Sequence, residues 1–130
     1  MSGAITIEVP AGEMIDRLTI LELKVARIAD PNRRAHVAAE LAALAAARDR
    51  AIPYHPDLDR LTAELRAVNA TLWQIEDDIR ACEAAADFGP RFVALARAVY
   101  RTNDRRAALK REISLALGSR LIEEKCHPDY

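Results

Sequence analysis

The chain is poor in aromatic residues, which make up 5% of its 130 positions. Alanine, leucine, arginine and glutamate, the strongest helix formers, stand in their place and point to an all-helical protein. Cysteine is scarce as well. Cys82 and Cys126 cannot make a disulfide framework, and Cys82, on an apolar helical face, reads as a reduced buried thiol. No charge sign dominates: a net charge of -1 gives no whole-chain attraction to nucleic acid or to an anionic membrane, and neither is expected as a partner. The longest uninterrupted apolar run, Leu41 to Ala47, falls far below the roughly 18 residues that span a bilayer. No basic stretch leads into an apolar core after Met1, so no secretory signal is read there, and a soluble cytoplasmic protein is expected. A Gly-rich phosphate loop and a nucleophile motif are both missing. His36, His55 and His127 show no metal-ligand spacing, and Cys126-His127 in a tail does not supply one.

What is present is helical periodicity broken by proline. Residues 4–9 alternate, with Ile5, Ile7 and Val9 against Thr6 and Glu8, a short strand-like pattern that Pro10 ends. A first helix is expected from near Gly12, with Glu13 and Asp16 in its first turn and a stripe of Met14, Leu18, Leu21, Val25 and Ile28. Ile20 and Leu23 lie off that stripe. Asp30-Pro31 starts a second helix, running to about Ala51, with Val37, Leu41 and Leu44 inward. After Pro53 to Pro56, a third helix from about Asp57 to Ala86 carries the cleanest seam: Leu58, Leu61, Leu65, Val68, Leu72, Ile75, Ile79 and Cys82. A tight turn with Gly89 as cap and Pro90 at the first helical position leads to a fourth helix. It runs to about Leu117 and ends at Gly118. Helices three and four should form a long antiparallel hairpin, with the first two packed across it and the tail a candidate edge for the strand-like segment. The expectation is one all-α domain over residues 1–130: a bundle of about four helices with a short extended N-terminal segment.

The fourth helix has a polar break in its apolar seam. Phe92, Leu95, Val99, Thr102, Arg106, Leu109, Ile113 and Ala116 recur at steps of three and four, and Thr102 and Arg106 fall in the middle. Polar groups buried there cost several kcal/mol, roughly, unless they are paired. Three groupings are therefore candidates for function: Glu13, Asp16 and Lys24 on the first helix; Trp73, Glu76, Asp77 and Arg80 on the third; and Tyr100, Thr102, Asn103, Asp104, Arg106 and Lys110 on the fourth. As one ligand site, Arg106 and Lys110 would hold a phosphate or carboxylate, Trp73 or Tyr100 would stack on a ring, and Glu76 or Asp77 would act as base or metal ligand. As a structural layer, Glu76 or Asp77 would instead pair with Arg106 across the hairpin and fix its alignment. Carboxylates at Glu13, Asp16 and 76–78 lack the paired ExxE and ExxD order with which helical nucleotide pyrophosphatases chelate Mg²⁺, so no metal is assigned. No cofactor is named by the sequence. The basic positions Arg101, Arg105, Arg106, Lys110 and Arg111 are interrupted by Asp104 and Glu112 and read as a solvated face.

The segments Glu13–Glu22 (EMIDRLTILE), Leu72–Arg80 (LWQIEDDIR) and Ala94–Arg106 (ALARAVYRTNDRR), with Lys110, Ile113, Gly118-Ser119 and residues 123–125, resemble an uncharacterised bacterial family. That family is found also in some phages and is classed as a domain of unknown function. The resemblance covers nearly the whole chain, and its signature coincides with the polar groupings rather than the seams. It implies no established activity; family members often lie near genes for surface polysaccharide synthesis, which implies a loose link to glycan metabolism. The chain departs at its end, where Cys126-His127-Pro128-Asp129-Tyr130 replaces the family's usual Ser-Tyr finish.

Two functional expectations follow. The first is a non-catalytic interaction or accessory protein whose hairpin carries a polar layer. Its long helices offer more apolar edge than the two shorter ones can cover, so a homodimer or another protein partner is expected. The alternative is a binding protein for an anionic small molecule, phosphate or sugar nucleotide, or a small helical enzyme, with Glu76, Asp77, Asn103, Asp104 and Arg106 forming the site.

Overall fold

The computed structural model describes residues 3–130, and these form four helices: α1 (Ala11–Arg27), α2 (Pro31–Ala51), α3 (Leu58–Ala84) and α4 (Pro90–Ala116). The all-α bundle expected from composition and seam spacing is what the chain adopts. Asp30 caps α2, its carboxylate accepting from the Arg33 backbone N–H at 3.3 Å, with Pro31 in the first turn. Gly118 ends α4 with φ +68, letting the Ser119 N–H donate back to the Ser114 carbonyl at 2.9 Å. The same device ends α3, but with alanine: Ala86 sits at φ 51 while the Asp87 N–H reaches the Cys82 carbonyl at 2.9 Å. Helix three is thus shorter than its apolar pattern suggested, and Ala86 belongs to its left-handed cap.

Helices α3 and α4 pack along each other, and α1 lies against both. Gly12 meets α4 near Ser114, Asp16 meets it at Arg106, and Arg27 lies over Trp73 of α3. So α1 runs antiparallel to α4 and parallel to α3. The core is where the three meet: Ile15, Leu18, Leu61, Leu65, Leu109 and Ile113 are each at most 2% exposed. Each contributes roughly 1.5–3 kcal/mol by leaving water. The first two helices do not both cross the hairpin. Only α1 does; α2 folds back along α1, with Leu41, Leu44 and Ala45 reaching the edge of the core. Its alanine-rich face buries no residue fully, and its backbone comes close to α1 alone.

The entry to α1 depends on α4. Pro10 brings no side chain to cap the helix, so its first N–H groups need partners elsewhere. The Ser119 hydroxyl accepts from the Ala11 N–H and the Ser114 hydroxyl from the Gly12 N–H, each at 2.9 Å. Gly12 permits this approach: a Cβ there would lie 2.0 Å from the Lys110 carbonyl oxygen.

The alternating segment 4–9 is extended but makes no strand, and no strand forms among the described residues. Ile5 and Ile7 are 87% and 71% exposed, because a single short segment with one apolar side finds no sheet to join. The tail does not pair with it as an edge. Arg120 reaches Glu8 through two side-chain bonds, 2.7 and 3.0 Å, instead.

Candidate functional site

Helical spacing puts Asp16 and Thr19 on the α1 face that meets α3 and α4, between the core residues Ile15, Leu18 and Leu21. Asp16 is 1% exposed. Its carboxylate is held by a two-pronged ion pair: Arg106 Nε donates to Oδ1 at 2.9 Å and Nη2 to Oδ2 at 2.5 Å. Asn69 on α3 supplies a third donor, its Nδ2 reaching Oδ1 at 2.9 Å and the Thr19 hydroxyl at 2.8 Å. That hydroxyl in turn donates to the Asp16 backbone carbonyl at 2.8 Å. One layer of polar groups therefore ties α1, α3 and α4 together. The hydrogen bond from Arg106 to Asp16 raises the arginine pKa further above its ordinary value, so the guanidinium stays charged.

One turn along α4, Lys110 is 8% exposed and its ammonium lies 2.7 Å from Glu13 and 3.5 Å from Glu123 of the tail. Further anchors hold the tail: Arg111 donates to the Glu123 carbonyl at 3.0 Å and pairs with Glu124, while Lys125 lies 3.3 Å from Asp104. Between α4 and the tail is a cavity of about 280 Å³. Its cations, Arg106, Lys110 and Lys125, all have carboxylate partners.

The anticipated pairing of Glu76 or Asp77 with Arg106 does not occur. Asp16 takes Arg106, because the buried face of α1 carries its carboxylate directly into the core, whereas Glu76 and Asp77 stay exposed on α3. Glu76 lies 3.6 Å from Arg80 one turn on. Of the residues singled out in the sequence, Glu13, Asp16, Arg106 and Lys110 come together. Trp73, Glu76 and Asn103 line a neighbouring groove, Asp104 faces the tail, and Arg27 stacks on Trp73 at 5.3 Å. Lys24, Asp77 and Arg80 stay outside the cluster. So do Thr102, which sits with Arg101 and Arg105 on another face, and Tyr100, whose pKa is lowered chiefly by a hydrogen bond from Arg97.

Asn69, Thr19, Ser114 and Glu123 escaped the sequence reading. Asn69 had a signal, since Leu61, Leu65 and Asn69 step by four along α3 and the last is polar. Thr19 stood alone among Leu18, Ile20 and Leu21. Glu123 entered only within the resembling residues 123–125, with no spacing to single it out in a charged tail. Among the described residues no three His, Cys, Asp or Glu side chains gather as metal ligands, and no helix is long and apolar enough to cross a membrane. No protein-family model, curated protein or solved structure matches this chain.

Proposed function

We propose that this is a non-catalytic interaction or accessory protein of the cytoplasm, which pairs with a second copy of itself through the free end of the α3–α4 hairpin. The reading rests on the mismatch in helix length. Seventeen residues of α1 extend about 25 Å and the 27 of α3 or α4 about 40 Å, so α1 cannot cover the hairpin's end. Beyond the Trp73 and Arg106 level, the seam residues Ile79, Phe92, Leu95 and Val99 are only half-buried, and Phe88 and Val93 are more than half exposed.

Charge favours self-pairing there. The end of α3 carries Asp77 and Glu83, and the start of α4 carries Arg97, none with an ionic partner among the described residues. A two-fold arrangement lays the acidic side of one hairpin on the basic side of the other. The buried layer serves the same reading by holding α1, α3 and α4 in one alignment. The anionic-ligand reading has less support, since Arg106 and Lys110 already face Asp16, Glu13 and Glu123.

Light scattering and sedimentation at micromolar concentration test the proposal. A dimer is expected that weakens with added salt, is lost in Arg97→Glu, and is restored when Arg97→Glu and Glu83→Arg chains are mixed. A monomer across that range refutes it.

A further inference from the structure

We infer that the groove between α1, α3 and α4 is a binding site for a small, planar, neutral molecule that presents a carbonyl and an N–H side by side. Such an edge belongs to a cyclic lactam or to a primary carboxamide. The argument begins with the orientation of Asn69, which is 5% exposed. Its two near neighbours are the Asp16 carboxylate and the Thr19 hydroxyl, whose proton is committed to the Asp16 carbonyl. Both can only accept, so the amide must turn Nδ2 toward them. Oδ1 is then left to the groove, which Asn69 lines, and no donor among the described residues reaches it.

Arg106 lines the same groove. Its Nε and Nη2 are spent on Asp16, while Nη1 has no acceptor among the described residues. Asn69 and Arg106 are tied together through one carboxylate oxygen, Oδ1 of Asp16, which accepts from Asn69 Nδ2 and Arg106 Nε at 2.9 Å each, so adjacent side chains offer the groove an acceptor and a donor. A trans amide points its C=O and N–H in opposite directions and cannot meet both. A lactam or primary carboxamide has them on one edge and can form the two bonds together.

The rest of the groove suits a flat ring. Trp73, Leu72, Ile20 and Leu23 supply its walls, and the volume is about 300 Å³. Arg27 over the indole holds that wall in place. Neutrality follows from charge: Arg106 is matched by Asp16, and Glu76 at the rim repels an anion. This site is independent of the hairpin end and of the self-pairing proposed for it.

Trp73 is the single tryptophan, so its indole N–H gives one assignable signal in a two-dimensional NMR spectrum. The intact chain is titrated with uracil, nicotinamide, 1,3-dimethyluracil and uridine monophosphate. The expected result is that uracil, nicotinamide or both move the Trp73 indole and Asn69 side-chain signals, with half-saturation on the order of 1 mM for so few atoms. Uracil alone identifies a lactam site, nicotinamide alone a carboxamide site, and both the shared edge. Dimethyluracil, which has no N–H, should bind about tenfold more weakly, because Oδ1 is left unmatched. Leu23→Phe fills the groove and should abolish the shifts with the helical circular dichroism unchanged. Equal binding of dimethyluracil, shifts that survive Leu23→Phe, tighter binding of uridine monophosphate than uracil, or no shift at 20-fold higher concentration than expected would each overturn the inference.

Discussion

Replacing Arg106 with leucine isolates the Asp16 carboxylate in the core. The side chain of Asp16 is 2% exposed and would lose both charge-assisted bonds, keeping the single donor Asn69 Nδ2. Breaking a buried ion pair from one side costs about 3–5 kcal/mol, because the abandoned charge has no water to return to. For a domain whose whole stability is of order 5–15 kcal/mol, that lowers the melting midpoint by roughly 10–20 °C. Replacing both partners, Asp16→Leu with Arg106→Leu, removes the stranded charge and should recover most of the loss. About 1 kcal/mol would remain for the Asn69 donor that loses an acceptor. Urea unfolding followed by circular dichroism, for the parent, both single variants and the double, measures each quantity. An Arg106→Leu chain as stable as its parent, or a double variant no better than the single, would refute the view that Asp16 and Arg106 are one closed pair.

Other outcomes follow from single contacts. Gly12→Ala ought to gain up to about 1 kcal/mol from helix propensity, yet the new Cβ would lie 2.0 Å from the Lys110 carbonyl oxygen. Forcing α1 off α4 should reverse the sign, giving a net loss of about 1–3 kcal/mol by chemical denaturation. Ala86→Gly relieves a left-handed alanine at φ 51 and should raise stability by about 0.5–1 kcal/mol; an unchanged midpoint would contradict the cap geometry. The Glu8 pKa lies below the ordinary carboxylate value of 4.5, chiefly through its hydrogen bond from Arg120. This pair therefore favours the folded arrangement above that value and lets go as the pH falls through the lowered one. NMR of the Arg120 Nε–H should show the bond intact at pH 5.5 and released in stronger acid.

Much of the fold is local in origin and was open to reading along the chain. Pro31 and Pro90, each at a first helical turn, and the left-handed Gly118 mark boundaries by backbone geometry alone. The steps of three and four through Leu61, Leu65, Leu109 and Ile113 name a core face whatever it packs against. The polar residues Asp16 and Arg106 were visible too, Asp16 as a carboxylate near the start of α1 and Arg106 as a break in the apolar stripe of α4. Their pairing was not. Residues 90 positions apart meet only because Gly12 lets α1 close onto the α4 backbone, and nothing in the spacing of either helix encodes that approach. The same closure leaves Glu76 and Asp77 unpaired with Arg106, seats the serine hydroxyls on the first turn of α1, and brings Asn69 to the wall of a groove. Periodicity determined which faces are buried, because that depends on neighbours three and four residues away. Which buried polar atom meets which partner was decided by helix–helix distance, a property of the assembled bundle alone.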